Sequence, residues 1–146
     1  MPKRPSASAC TTCRRTFVWD QTNEMFRRKK RGAGTLKWKG QRALTRKLEA
    51  KYGRSRVFSE AAPLWAIGAK GALLRFDIAI PDQKILVEYQ GPQHEDPRAM
   101  RYFSRTPAKA FRELKKRDAL KRELARANGW VLIEHDAGSQ LQMGLF

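Results

Sequence analysis

Apolar side chains at Leu44, Leu48 and Tyr52 recur every fourth position after Gly40, the spacing that lines one face of a helix, and Gly53 supplies a stop. A helix over 40–52 is predicted. Arg56-Val57-Phe58-Ser59-Glu60 reads as a short strand. After Pro63 and the small residues of 66–72, a hairpin is predicted to run out over 73–80, turn through Pro81-Asp82-Gln83-Lys84 and return over 85–90. Thr106-Pro107 is a helix start, because Thr can cap and Pro at the first helical position loses no hydrogen bond; Asn128-Gly129 is a stop. A long helix is expected between them, and Trp130-Val131-Leu132-Ile133-Glu134 then reads as a buried strand. The order is α-β-β-β-α-β, an α/β fold with a mixed sheet flanked by helices, and no repeat is visible.

The hairpin fixes its own register. Whether the turn holds two residues (82 and 83) or four (81–84), the numbers of antiparallel partners sum to 165, so Ile80 faces Ile85 and Asp77 faces Glu88. Strict alternation then gives one face Phe76, Ile78, Ile80, Ile85, Val87 and Tyr89, the expected core side. The other receives Arg75, Asp77, Ala79, Leu86, Glu88 and Gln90.

Charge changes this picture. The 146 residues contain 31 Lys and Arg against 14 Asp and Glu, a net +17, while 41% hydrophobic content with seven Phe, four Trp and three Tyr argues for a folded unit. Residues 1–50 hold 14 of the cations and only 3 acids, and residues 1 to about 35, with Arg27-Arg28-Lys29-Lys30-Arg31 before Gly32, read as an exposed basic segment. Such an excess suits a polyphosphate partner and not a small-metabolite enzyme, because every phosphate neutralised releases a condensed counterion. No apolar run reaches the roughly 18 residues a membrane span requires, and no apolar stretch follows Met1-Pro2-Lys3-Arg4-Pro5, so an intracellular protein with reduced cysteines and no membrane partner is expected.

Between Asp77 and Asp96 the sign reverses: Asp77, Asp82, Glu88, Glu95 and Asp96 are opposed within that stretch only by Lys84. Directly opposed residues have Cβ atoms about 4.5–5.5 Å apart, where two ionised carboxylates repel unless a cation lies between them. Asp77 and Glu88 therefore make either a divalent-metal site, suited to Mg²⁺ or Mn²⁺ and not to a closed zinc site, or a solvent-facing acid pair neutralised by Arg75. His94, just past the hairpin, could handle a proton, or be a surface histidine in a Pro-rich loop. Asp118 borders the apolar stripe of the long helix and needs a partner, which a neighbouring Lys or Arg, His94 or a metal-associated water could supply.

Read in order, Arg75-Phe76-Asp77-Ile78-Ala79-Ile80-Pro81, Leu86-Val87-Glu88-Tyr89-Gln90-Gly91-Pro92-Gln93-His94, Arg117-Asp118 and Asn128-Gly129-Trp130-Val131-Leu132-Ile133 resemble the PD-(D/E)xK nuclease superfamily, in particular very-short-patch-repair endonucleases and related phage and homing endonucleases. The resemblance covers about residues 40–136. It implies a restriction-endonuclease-like core and metal-dependent hydrolysis of DNA phosphodiester bonds, by nicking or cutting duplex or branched DNA. Asp77 is then a metal ligand, Glu88 the second acid, His94 a helper in activating or positioning water, and Asp118 its support. Two positions depart from the pattern. Gln90 stands where the superfamily has Lys and many phage relatives have Asp, and Gln41 stands where relatives often have Glu, so that one metal-shell contact is either lost or moved to Glu49. An alternative follows from these departures: a catalytically degenerate nucleic-acid-binding or clamp-associated protein on the same fold.

The chain thus divides into a basic arm (1–38), a nuclease core (39–136) and a tail (137–146). Arg27, Arg28, Lys29, Lys30, Arg31, Lys115 and Lys116 are the expected phosphate contacts. Cys10-Thr11-Thr12-Cys13 looks like half of a zinc ribbon, a module that relatives often carry whole, but no second cysteine pair follows, so bound zinc is not expected. Gln142-Met143-Gly144-Leu145-Phe146 resembles the pentapeptide by which bacterial DNA-processing proteins bind the sliding clamp, with Gln142, Met143, Leu145 and Phe146 as contacts; packing of Leu145 and Phe146 on the protein's own core is the other reading.

Overall fold

A computed structural model describes residues 17–29, 39–91 and 96–136. The chain is an α/β protein with one six-stranded mixed sheet. Its elements are β1 (Phe17–Asp20), β2 (Met25–Arg28), α1 (Lys39–Tyr52), β3 (Phe58–Pro63), β4 (Phe76–Ile80), β5 (Ile85–Gln90), α2 (Pro107–Ala127) and β6 (Val131–Asp136). The strands lie in chain order, antiparallel from β1 to β5, and β6 joins β5 in parallel. A parallel pair needs a long crossover, and α2 is that crossover.

From α1 onward the elements follow the predicted order, although β6 is a partly exposed edge strand, with Val131 58% exposed, and not the buried strand expected. Gly53 ends α1 with φ +98°, a backbone angle that glycine adopts without a Cβ clash. The β4–β5 connection has four residues: Pro81–Gln83 make one 3₁₀ turn, and Lys84, left-handed at φ +52°, donates its N–H to Pro81 O. Ile78 pairs with Val87, Ala79 with Leu86 and Ile80 with Ile85, the register expected from the turn.

Two expectations are corrected. The first concerns the arm, in which residues 17–28 are not an exposed basic segment but a hairpin, β1–β2, added to the sheet edge through β2–β3 pairing, with Met25 fully buried. Phe17, Val18 and Trp19 face Arg28, Arg27 and Phe26 across the pair, and the Trp19 and Phe26 rings meet at 5.0 Å. Asp20 shapes the turn by accepting from the Asn23 backbone and side-chain amides and from Arg27.

The second correction concerns the faces of β4. Ile78, Ile80 and Val87 pack with Leu44 and Leu48 of α1 and with Val57, as alternation requires. Phe76 does not join them; it packs with Ala61, Ala79, Leu86 and Ala125 on the opposite side, under α2. Alternation breaks in both strands at one level, where Ser59 pairs with Ile78 and Ala61 with Phe76 but no pairing joins residue 60 to residue 77. Glu60 is left-handed there, φ +50°, and its carboxylate is held by Arg28 of β2 at 2.8 Å. The second face is consequently not solvent-facing: Trp65 and Trp130 pack against its cluster, 5.9 Å apart.

Candidate functional site

The break at Glu60 and Asp77 sits beside the acids of the hairpin. Where the β4–β5 ladder stops, the Asp77 carboxylate takes over, Oδ2 accepting the Tyr89 backbone N–H at 2.8 Å. Tyr89 is in turn packed against the start of α1, since a Cβ on Gly40 would collide with its hydroxyl. One carboxylate oxygen of Asp77 is therefore fixed by the backbone of the next strand.

Glu88 projects from β5 toward α2 and is 8% exposed. Two polar side chains of α2 belong to its buried stripe with Ala125: Asp118 (6% exposed) and, one turn later, Lys121 (9%). Lys121 Nζ lies 2.8 Å from Glu88 Oε1 and 5.2 Å from the centroid of the Phe76 ring, so its ammonium is held between a carboxylate and an aromatic face. Burial, and then the negative charge of Asp77, raise the Glu88 carboxyl to about 7; the charge and hydrogen bond of Lys121 pull it down, and Asp118 adds a further upward push. The negative field and desolvation at Glu88 outweigh what one lysine supplies.

Asp77, Glu88 and Asp118 thus come to one corner, from β4, β5 and α2. Among the described residues no group of three or more His, Cys, Asp and Glu side chains is arranged to hold a metal ion. Asp77 and Glu88 are two carboxylates, the usual protein share of a Mg²⁺ site, and each has an oxygen in a hydrogen bond within the protein, Asp77 with the Tyr89 amide and Glu88 with Lys121. Gln90, two residues beyond Glu88, is half-buried and by alternation shares its face; its backbone neighbour on β6 is Asp136. Gln41 is buried at the start of α1, whereas Glu49 lies two turns away toward Gly53, about 12 Å along the axis.

Among the expected phosphate contacts, Lys29, Lys115 and Lys116 are exposed. Arg27 and Arg28 are engaged within the sheet, Arg27 with Asp20 at 3.1 Å and over the Phe58 ring at 4.9 Å, Arg28 with Glu60. His94, Lys30, Arg31, the Cys10 and Cys13 pair, and Gln142, Met143, Leu145 and Phe146 lie outside the described residues.

Lys121 escapes sequence reasoning because it follows Lys115, Lys116 and Arg117 in what looks like a solvated basic face. Its signal is positional: it stands three residues after Asp118, so a helix that buries one brings the other to the same side. No family model, curated protein or solved structure matches this chain.

Proposed function

We propose that this protein is a Mg²⁺- or Mn²⁺-dependent DNA endonuclease on a restriction-endonuclease-like core, with Asp77 and Glu88 as the ion ligands. The observation that carries this reading is the convergence of the half-buried Asp77 with the buried Glu88, Asp118 and Lys121 in one corner of a protein with net charge +17. Buried charges are costly and core packing does not require them. The succession α1-β3-β4-β5-α2-β6, with acids on adjacent strands beneath the crossover helix, supports the fold assignment.

When bound, a divalent ion supplies Lewis-acid activation of water and neutralises charge on the scissile phosphate. The side chains do the rest. The Tyr89 amide orients Asp77, and Lys121 favours the ionised form of Glu88 while bringing to the site an ammonium that Gln90 does not offer. Asp118 adds negative charge one turn from Lys121, and His94 is assigned proton transfer from its resemblance to nuclease histidines. Lys29, Lys115 and Lys116 offer phosphate contacts, and the tail at 142–146 is proposed to bind a bacterial sliding clamp. Deleting residues 142–146 should remove clamp binding and leave metal-dependent cleavage in place.

One observation favours a second reading, a non-catalytic DNA-binding protein: the Lys121–Glu88 pair already occupies a carboxylate oxygen. Incubation of supercoiled plasmid with Mg²⁺ or Mn²⁺ separates the two. Conversion to nicked or linear DNA that disappears with Asp77→Asn and with Glu88→Gln supports the nuclease; tight binding without cleavage of supercoiled, linear, mismatched or branched DNA supports the alternative.

A further inference from the structure

The segment joining β5 to α2 presents Tyr102 (76% exposed) and Phe103 (61%), the most exposed large apolar side chains among the described residues. Their backbone is firmly built. Asp96 caps a 3₁₀ turn over Pro97–Tyr102 by accepting the Arg98 N–H, Met100 is buried as an anchor, and the amides of Phe103 and Ser104 both donate to Met100 O at 2.9 Å. The Thr106 amide then donates to Ser104 Oγ, closing the connection into α2. Two adjacent rings are thus held in solvent, outside both packed clusters.

Their surroundings are mostly cationic, with Asp96 paired to Arg98 at 3.2 Å as the adjoining acid. Residues 97–112 contain Arg98, Arg101, Arg105, Lys109 and Arg112, all exposed, and no Asp or Glu. The Arg101 guanidinium sits 5.3 Å from the Tyr102 ring centroid. Rings with an arginine-rich border match a strand whose bases offer flat π-faces and whose backbone offers phosphates. A paired duplex hides those faces; unpaired positions expose them.

We propose that Tyr102 and Phe103 stack on unpaired bases of a DNA strand whose phosphates are held by Arg101 and Arg105. The assignment to DNA as substrate rests on the nuclease reading above and deepens it: the preferred substrate contains opened or branched positions.

The test uses the full chain with Asp77→Asn to block cleavage, and a forked duplex with 2-aminopurine in one unpaired arm against the fully paired duplex of the same sequence. The parent binds the fork at least about tenfold more tightly and quenches the arm fluorescence. Tyr102→Ala/Phe103→Ala loses about tenfold or more on the fork, little on paired DNA, and the quenching, with an unchanged melting temperature. Arg101→Ala/Arg105→Ala weakens binding to both DNAs and lowers the salt slope. Equal fork affinity with and without the rings overturns the proposal, as does equal affinity for RNA of the same sequence. Loss of a dimer by light scattering in the ring variant, with DNA binding intact, assigns the rings to a second copy and also overturns it. If the otherwise wild-type chain cuts plasmid in an Asp77-dependent way while the rings prove silent, the nuclease reading stands and this inference falls. If the rings matter and nothing is cut, the stacking site stands and the nuclease reading falls.

Discussion

The two faces of the sheet are each covered by one helix, yet they bury different chemistry. Under α1 lie Leu44, Leu48, Val57, Ile78, Ile80 and Val87, and the buried polar residues of that helix, Gln41 and Thr45, are uncharged. Under α2 lie Phe76, Ala79, Leu86 and Ala125 together with Glu88, Asp118 and Lys121, the three buried charged residues of the described chain. A buried pair of opposite charges is commonly no better for stability than apolar residues of the same volume. The α1 face makes the fold hold; the α2 face keeps charges that the fold alone would not ask for.

Substitutions on the two faces should therefore separate. Asp77→Asn, nearly isosteric, should lower metal-dependent plasmid cleavage by about 10²–10³-fold with an unchanged far-ultraviolet circular dichroism spectrum. Cleavage at wild-type rates would remove Asp77 from the site. Lys121→Met should cost about 3–5 kcal/mol in urea unfolding at pH 8, where Glu88 is left as an unpaired buried charge, and much less at pH 5. The double variant Glu88→Gln/Lys121→Met should recover most of that loss, and a loss that is additive would mean the two side chains do not act as a pair. Leu48→Ala, fully buried under α1, should cost about 2–5 kcal/mol while cleavage per folded molecule stays at the wild-type level. A parallel loss of activity would merge the two faces into one functional unit.

A smaller effect distinguishes the faces by titration. The Glu88 carboxyl is raised above its ordinary value to about 7, by burial first and Asp77 second. The folded state thus binds this proton more tightly than the unfolded chain. Its contribution to stability is complete below about 4.5 and is lost as pH rises through about 7. In metal-free buffer, urea midpoints should fall over that window, and Glu88→Gln should flatten the fall. A slope of equal size in the variant would place the titrating group elsewhere. Divalent cations should act oppositely, binding more tightly as pH rises through 7.

What could be read from the amino-acid order follows the same division. The α1 face was legible because Leu44, Leu48, Ile78, Ile80 and Val87 obey periods of four and two, and Gly53, Thr106-Pro107 and Asn128-Gly129 mark the ends. The hairpin register was legible from its short turn as far as Ile78 and Val87, where the ladder stops one pair short of Asp77 and Glu88. Lys121 was hidden, since a lysine in a basic helix looks the same whether it faces solvent or a carboxylate. The β1–β2 hairpin was hidden because the cationic run at 27–31 overshadowed the apolar Phe17, Val18, Trp19, Met25 and Phe26. Phe76 was assigned to the wrong face because alternation assumes extended backbone throughout, and no local pattern announces a left-handed glutamate in the neighbouring strand.

That glutamate gives the finest test. A non-glycine residue in a sparsely populated backbone region costs on the order of 1–3 kcal/mol and persists where its surroundings hold it. Glu60→Gly relieves the strain and gives up the partly exposed Arg28 ion pair, worth about 0–1 kcal/mol, so the melting temperature should move by no more than a few degrees and cleavage should be kept. Glu60→Val has a β-branched side chain that resists φ +50°. It should destabilise by about 1–3 kcal/mol. To escape the strain, β3 must straighten, joining position 60 to 77 and drawing Asp77 from the Tyr89 amide, so cleavage should fall with stability. Should Gly and Val variants melt and cut alike, the left-handed turn at Glu60 has no part in placing Asp77, and the separation of the two faces must be held by α2 alone.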